Sequence, residues 1–381
     1  MKPGPLDGVV VLDLSRVLAG PYCTMILGDM GADVIKIEHP VGDETRRWGP
    51  PFASGESAYY LSVNRNKRSV TLDLDVADDV ELVRRIAARA DVLVENFLPG
   101  ALEKRGLALS DLRAANPRLI TLSISGMGAT GPESGTPGYD FIVQAASGLM
   151  SITGPADGDP HKLGVAVVDL TTGMMAANAI LAALYAREKR GEGQHIDISL
   201  FETALSWLAN VGQGWLMTGE SPRRYGNAHP TIVPYQTFAA ADANIAIGVG
   251  TDAQWQRLCR AIDRAYLAAD PRYATNPGRV QHRAELVGAL EATFAQRTAD
   301  EWGERIRAAG IPVSKVRTVE EALQDPQAAA RDMIVAVQHP RIGELRLLSF
   351  PWKFSNTPAS IRRPPPLLGE HTDEVRVEYR A

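Results

Sequence analysis

The chain has 381 residues, of which 45% are hydrophobic and 22% charged, a globular composition that argues against disorder. Its net charge of −5 and the lack of a Lys/Arg block give no support to a nucleic-acid or anionic-membrane surface. The two cysteines, Cys23 and Cys259, are too few for a disulfide framework or a zinc site. We expect a cytoplasmic protein, because neither an apolar signal core nor a run of about 18 apolar residues is found.

The first two hundred residues alternate between patterns typical of strands and of helices. Strands are predicted at 8–15, 32–38, 91–97, 118–126 and 195–200, and helices at 19–31, 82–90 and 170–188. The stretch MSITG at 150–154 fits either class. Strands that alternate with helices indicate a mostly parallel sheet covered on both faces, and so an α/β fold.

The amino-acid composition changes after this region. Residues 219–234 are rich in Gly, Pro and Arg and are predicted to form a linker. A hairpin pattern follows at 235–250, and two later helices begin with the capping boxes Thr298-x-x-Glu301 and Thr318-x-x-Glu321. These patterns predict a second, α+β unit over about 227–325.

Several common catalytic motifs are missing. The chain has no G-x-x-x-x-G-K-[ST], no H-E-x-x-H and no G-x-S-x-G, and its seven His are scattered, so no metal site is predicted. After the first strand, Gly20, Gly28 and Gly31 have the wrong spacing for a dinucleotide fingerprint. Glu38 imitates the ribose-binding acid, but without those glycines a nicotinamide enzyme is weakly supported.

The stretch GVAVVDLTTGMM places a single carboxylate, Asp169, between valines and a helix pattern. Local sequence favours a helix N-cap, with the helix beginning at Leu170 and N–H groups of Thr171 or Thr172 bonding the side chain. A nucleophile at a helix N-terminus, kept ionised by the helix dipole, is compatible with the same position. Asp140 in PGYDF is a second acid, either at a turn or in a functional site.

A local cationic cluster stands in this acidic chain. SVNRNKRSVTLDL at 62–74 holds Arg65, Lys67 and Arg68, and ETRRW at 44–48 adds two arginines. The alternatives are a solvated loop and an anion site, for which arginine forks are suited. ENF at 95–97 is either a strand-end turn or a ligand contact.

Several long segments together resemble the class III, formyl-CoA transferase-like CoA-transferase family. They are PLDGVVVLDLSRVLAGPYCTMILGDMGADVIKIE, NRNKRSVTLDL, VENFLPGALEKRGL, KRGEGQHIDISL and PPPLLGEHT, in the family's order over nearly the whole chain. The catalytic aspartate of that family matches Asp169. The resemblance implies a CoA-transferase that moves CoA between an acyl-CoA and a carboxylic acid through covalent aspartyl intermediates, with Tyr139 and Asp140 orienting the reacting group.

Differences between this chain and other branches of the family reduce the number of branches that it resembles. Alpha-methylacyl-CoA racemases of the same family carry a His where this chain has Tyr139, and their second acid matches the neighbourhood of Asp252. A racemase needs an acid–base pair, and tyrosine is a poor base near neutral pH, so this alternative is disfavoured. The glutamine of formyl-CoA transferases is Leu18 here, which disfavours formate or oxalate. A non-catalytic acyl-CoA binder is a third alternative.

The branch that the chain most resembles is the succinyl-CoA:dicarboxylate (hydroxymethylglutarate or glutarate) CoA-transferases. DETRRWGPPFASGESAYYLSVNRNK, PGYDFIVQAASGLMSITG and RRYGNAHPTIVPYQTF carry that likeness. A dicarboxylic acid presents one carboxylate to react and a second that requires a cation. The candidate substrate-binding residues are Arg46, Arg47, Arg224 and His229.

The resemblance also implies an architecture and a CoA site. A large Rossmann-like domain would comprise 1–200 with 340–381 and a small domain 227–325, joined by linkers at 201–226 and 326–339, in an interlocked homodimer. Coenzyme A enters as a substrate, with no permanently bound cofactor. Its expected contacts are Arg16, Val17, His39, Lys67, Arg68, Leu72, Asn96, Phe97, Lys104 and Arg105.

Overall fold

A six-stranded parallel sheet lies at the centre of the larger part of the chain. The structure is a computed structural model that describes residues 2–380. In spatial order its strands are Lys67–Thr71, Asp33–Glu38, Val10–Asp13, Val92–Glu95, Ile120–Ser125 and His195–Ser199. The runs rich in Val, Ile and Leu form central strands because both faces of a parallel sheet are covered. The predicted α/β fold with a parallel sheet is confirmed.

Two apolar layers cover the faces of this sheet. One layer contains the helices Ala19–Asp29 and Val167–Arg190, and the other contains Ala77–Ala87. The first two helices approach closely at Gly173, where a Cβ atom would lie 2.6 Å from the carbonyl oxygen of Ala19. A larger residue at 173 would therefore push the two helices apart.

The other elements of the larger unit are short. Its remaining helices are Ala58–Val63, Leu109–Ala115, Asp140–Ala146, Leu200–Ser206, Ala209–Thr218 and Thr372–Glu378, with 3₁₀ turns at Glu44–Arg47 and Glu103–Arg105. Two small antiparallel ladders pair Phe52–Ala53 with Glu56–Ser57 and Ile334–His339 with Gly343–Leu348.

The smaller unit is built on an antiparallel sheet. Its strands, in spatial order, are Val313–Lys315, Asn244–Gly248 and Tyr235–Ala239. Its helices are Asp252–Ala261, Ala265–Ala269, Asn276–Gln281, Arg283–Phe294, Ala299–Ala308 and Val319–Leu323, with a 3₁₀ turn at Pro271–Tyr273. The predicted hairpin and both predicted capping boxes are confirmed.

The observed division of the chain differs from the expected domain boundaries. The larger unit runs to Leu149 and includes Lys162–Thr218 and the chain from Gln327 onward, whereas the smaller unit includes Met150–His161 and Gly219–Pro326. Two short helices, Leu149–Ile152 and Pro326–Ala330, stand at these boundaries. The expected linker 201–226 is helical at 201–206 and 209–218, because FETALSWLANVGQGWLMT contains no proline to interrupt a helix.

The helix Val167–Arg190 begins three residues before the expected start at Leu170. It is long enough to cross a membrane, its most apolar 18-residue window has a mean hydropathy of 1.6, and 44% of that window is buried. Length and hydropathy are weak evidence for a membrane span, since a core helix of a globular protein meets the same criteria.

Candidate active site

Asp169 is the third residue of the helix Val167–Arg190 rather than its N-cap. The N-cap position is Ala166, which has no side-chain acceptor, so the expected capping role of Asp169 is corrected. Asp140 replaces it: its Oδ1 accepts hydrogen bonds from the N–H groups of Val168 (2.7 Å) and Asp169 (3.2 Å). A carboxylate from another helix therefore satisfies the exposed donors of this helix end.

The pKa of Asp169 is raised to about 7, first by burial and then by the nearby negative charge of Asp140. The expectation that the helix N-terminus keeps this carboxylate fully ionised is therefore corrected, because desolvation and like-charge repulsion act in the opposite direction. Perturbed pKa values of this size concentrate at functional sites. Asp169 is thus a carboxylate poised between its two protonation states near neutral pH.

Asp169 lines an open cavity of about 330 Å³. Four of the predicted site residues line the same cavity together with Tyr139: Arg16, Val17, Asn96 and Phe97. These residues come from the ends of two strands and from the loop before helix Asp140–Ala146, so the carboxyl edge of the sheet brings them together.

The loop after the first strand is held in an uncommon conformation within this cavity. Val17 has φ of +67°, in the left-handed region that β-branched residues rarely adopt. The side-chain amide of Asn96 bonds both backbone groups of Arg16: Oδ1 accepts from its N–H (2.9 Å), and Nδ2 donates to its carbonyl (2.8 Å). Asn96 therefore holds the backbone of the cavity wall.

Buried charges hold the other side of the same loop. Lys36 Nζ donates to the carbonyl of Ser15 (2.8 Å) and to Asp43 (3.1 Å), and Asp43 accepts from the N–H of Val17 (3.2 Å). Burial opposes ionisation of Asp43, but the charge of Lys36 and the bonds from Thr45 keep the pKa of Asp43 below its usual value. The loop thus rests on a buried ion pair.

A second cavity of about 240 Å³ shares Arg16, Glu44 and Phe97 with the first. Among its other walls are four residues that the sequence analysis singled out: His39, Arg47, Leu72 and Arg105. Of the adjacent candidates Lys104 and Arg105, the structure brings Arg105 to this cavity, whereas Lys104 is exposed and lines neither cavity.

Three cationic candidates, predicted to contact CoA or the substrate, lie away from both cavities and have partners within the chain. Lys67 is fully buried and donates to Asp13 and Asn64 and to a backbone carbonyl. Arg68 pairs with three carboxylates, those of Asp33, Glu374 and Glu378.

Arg46 is the third of these cations. Its guanidinium bonds Glu38 through two nitrogens (2.8 and 2.7 Å), as well as the carbonyl of Pro366. The polar groups of Arg46 are thus committed inside the chain, and we find no geometry there for a substrate carboxylate.

The candidates in the smaller unit also have internal partners. Arg224 donates to the carbonyls of Ser151 (3.1 Å), Pro155 (3.1 Å) and Gly158 (2.6 Å), so its guanidinium anchors the segment Met150–His161. Asp252 forms an ion pair of 2.9 Å with the buried Arg279.

His229 also lies in the smaller unit, where its ring meets that of Tyr235 edge to face at 5.3 Å. Its Nδ1 accepts a hydrogen bond from the N–H of Thr231 (3.2 Å). His229 lines neither of the two cavities.

The sequence analysis did not single out Trp48, which lines the Asp169 cavity, or Tyr59, which packs against Trp48. The two rings meet edge to face at 5.1 Å. Burial raises the pKa of Tyr59 to about 12, and the charge of Asp169 adds to this shift. Trp48 stands beside the arginines of ETRRW, but no local pattern relates it to a residue 121 positions later.

Across residues 2–380, no group of three or more His, Cys, Asp or Glu has a geometry that could hold a metal ion. Both cysteines are buried and free. Burial raises the pKa of the Cys259 thiol to about 12, which makes it unreactive. The chemistry of the cavity therefore has to be argued from its carboxylate and its polar walls.

Comparison with known proteins shows the family to which the chain belongs. A sequence model described as CoA-transferase family III matches residues 6–372. The chain belongs to CoA-transferase family III. This CoA-transferase is therefore an enzyme of the family over residues 6–372. The racemase alternative is not favoured, because the chain's relatives at about 41–44% identity are named as CoA-transferases.

Named relatives of this CoA-transferase agree. A succinyl-CoA:glutarate CoA-transferase of Mus musculus is 42% identical over 375 residues, covering 98% of this chain and 86% of that protein. A succinate–glutarate CoA-transferase of Agrobacterium fabrum is 44% identical over 384 residues, covering 99% and 96%. A crystal structure of a CaiB/BaiF family protein from Brucella suis covers 100% of both chains at 42% identity, with a TM-score of 0.90.

Proposed function

We propose that this CoA-transferase moves CoA from an acyl-CoA, such as succinyl-CoA, to a dicarboxylic acid, with Asp169 as the nucleophile. The observation that carries the proposal is the position of Asp169, which shares one cavity with Arg16, Asn96 and Tyr139 at the carboxyl edge of the sheet. The names of the relatives from Mus musculus and Agrobacterium fabrum support a dicarboxylate as the acceptor.

The proposed reaction has two symmetric halves. The Asp169 carboxylate attacks the thioester carbonyl, the C–S bond breaks, and a mixed anhydride and CoA thiolate form. The thiolate attacks the aspartyl carbonyl of the anhydride, which releases the donor acid and leaves an aspartyl-CoA thioester. The acceptor carboxylate attacks this thioester, and the released thiolate then attacks the acceptor carbonyl to give the new acyl-CoA and free Asp169.

The two adjoining cavities support a placement for CoA. The thioester end would lie in the cavity of Asp169, and the nucleotide end would lie in the second cavity. Arg47, Arg105 and His39 on its walls suit the phosphates and the base, while Leu72 and Phe97 offer apolar contacts. Tyr139, on the wall of the first cavity, would orient the reacting acyl group.

The surroundings of Asp169 suit a nucleophile that must not lose its intermediate to water. Leu18, Phe97 and Ile124 contribute apolar walls to the cavity, and burial dominates the pKa shift of Asp169. The same desolvation makes the ionised carboxylate more reactive than it would be in water. Asp140, whose side chain is nearly buried, would act by holding the start of the catalytic helix.

The decisive experiment removes the nucleophile. Asp169→Ala and Asp169→Asn should abolish CoA exchange between succinyl-CoA and glutarate, and hydroxylamine should trap an aspartyl hydroxamate only in the native protein. Asp78→Asn, at an exposed position on helix Ala77–Ala87, is the matched control and should exchange CoA normally. Exchange that persists in both Asp169 variants would refute the mechanism.

We further propose that the enzyme is an interlocked homodimer and acts in the cytoplasm. Helix Ala209–Thr218 supports a partner surface, because none of its residues is buried and Trp215, Leu216 and Met217 are exposed. Light scattering should give twice the chain mass. A monomer with full activity would refute the dimer.

A further inference from the structure

Among the described residues that line the Asp169 cavity, Arg16 is the one cation. Of the residues described between 2 and 380, twenty-two line this cavity, and Arg16 alone among them is Lys, Arg or His. The three arginines that the sequence analysis selected for a second substrate carboxylate do not line this cavity. Arg46 is bound to Glu38, Arg224 is bound to three carbonyls of the smaller unit, and Arg47 lines only the second cavity.

The guanidinium of Arg16 stands on a rigid base. Asn96 bonds both the N–H and the carbonyl of Arg16, so the backbone beneath the side chain is held from both sides. The guanidinium carbon lies 5.1 Å from the ring centre of Phe97, and this contact restricts the movement of the Arg16 side chain. The side chain itself remains 47% exposed, so its charged end is accessible to a ligand.

The present partner of Arg16 is a carboxylate with an incomplete set of bonds. Glu44 Oε1 lies 3.2 Å from one guanidinium nitrogen, and Glu44 lines the same cavity. The other oxygen, Oε2, is buried and finds no hydrogen-bond partner within the described chain. A single contact of this kind is weaker than the two parallel bonds that a free carboxylate forms with a guanidinium.

We propose that Arg16 binds the distal carboxylate of the dicarboxylic substrate, which displaces Glu44 from the guanidinium. This inference rests on the proposed function, because it assumes that a second carboxylate of the substrate enters the cavity of Asp169. The reacting carboxylate would then face Asp169, and the fixed backbone of Arg16 would select acids that carry a second negative charge. A monocarboxylic acid of equal length would leave Arg16 paired with Glu44.

The test compares glutarate with pentanoate, which has the same carbon chain but no second carboxylate. With acetyl-CoA as the donor, Arg16→Gln should lower the ratio of kcat/KM for glutarate over pentanoate by about tenfold to one hundredfold. The KM for acetyl-CoA should not change. Glu44→Gln should raise the same ratio, because it removes the competing carboxylate.

Arg47→Gln is the matched control, since Arg47 lines only the second cavity. It should raise the KM for acetyl-CoA and leave the glutarate ratio unchanged. If Arg16→Gln instead raises the KM for acetyl-CoA and leaves the ratio unchanged, Arg16 contacts CoA and the proposal is overturned. An equal loss for both acids would overturn it as well.

A binding measurement separates this inference from the proposed reaction. In Asp169→Asn protein, titration calorimetry should show glutarate binding more tightly than pentanoate, and adding Arg16→Gln should remove that preference. Native protein that binds glutarate through Arg16 but transfers no CoA would refute the proposed function alone. Equal binding of both acids to the Asp169→Asn protein would refute the role of Arg16.

Discussion

The Oδ1 atom of Asp140 accepts the backbone N–H of Asp169 at 3.2 Å, so one carboxylate holds the helix turn that carries another. Asp140 is itself fixed by Gln144, whose Nε2 donates to its Oδ2 at 2.5 Å. The contact has two opposite effects on Asp169. It completes the hydrogen bonding of the helix end, and its negative charge raises the pKa of the neighbouring side chain.

The pH dependence of kcat/KM should reflect the interaction between Asp140 and Asp169. Because the proposed nucleophile has to be ionised and the pKa of Asp169 is raised to about 7, kcat/KM should fall about tenfold per pH unit below that value and level off above it. Asp140→Asn retains an oxygen acceptor but removes the charge, so the acid limb should move to lower pH. Initial rates between about pH 5 and pH 9 test this. An unmoved limb would show that burial alone sets the pKa.

Removing the charge of Asp169 should stabilise the fold at alkaline pH. The pKa of Asp169 is about 7 in the native state and near 3.8 when unperturbed, so native stability falls as pH rises through this window. Asp169→Asn should therefore raise the free energy of unfolding at pH 8 by on the order of a few kcal/mol and change it little near pH 4. Urea denaturation at both pH values measures the difference, with Asp78→Asn as the exposed control. The same gain at both pH values would contradict the pKa shift.

Backbone strain at Val17 should be measurable by comparing the free energies of unfolding of Val17→Gly and Val17→Ala. The left-handed conformation, with φ of +67°, costs a non-glycine residue roughly 1–2 kcal/mol. Val17→Gly should therefore have a free energy of unfolding about 1 kcal/mol higher than Val17→Ala, since both variants lose the two Cγ methyl groups but only glycine, which also lacks Cβ, relieves the strain. A more stable alanine variant in chemical denaturation would show that the loop has relaxed.

Arg224 should behave as a structural residue. Its three bonds to the carbonyls of Ser151, Pro155 and Gly158 need the fork of a guanidinium, which lysine lacks. Arg224→Lys should speed hydrogen exchange in the segment Met150–His161 and leave the kcat/KM ratio for glutarate over pentanoate unchanged. If Arg224→Lys instead lowers the kcat/KM ratio strongly and leaves hydrogen exchange in Met150–His161 unchanged, Arg224 binds the substrate.

The sequence by itself determined the scaffold of this enzyme. Alternating apolar runs and helical patterns predicted the parallel sheet, because the period of burial is a local property of the chain. The Thr298 and Thr318 capping boxes were readable for the same reason, since each joins atoms only three residues apart. The family and Asp169 as the candidate nucleophile came from long motifs in a shared order, a signal that needs no coordinates.

Only the tertiary structure decided what surrounds Asp169. The cap from Asp140 spans 28 positions and the amide of Asn96 reaches Arg16 across 80, so neither contact leaves a local pattern. The arginines differ in the same way: Arg46 lies against a buried glutamate, whereas Arg16, predicted to contact CoA, lines the Asp169 cavity with a side chain that is 47% exposed. Charge can be counted along a sequence, but whether a cation is free for a substrate depends on which carboxylates the fold brings to it.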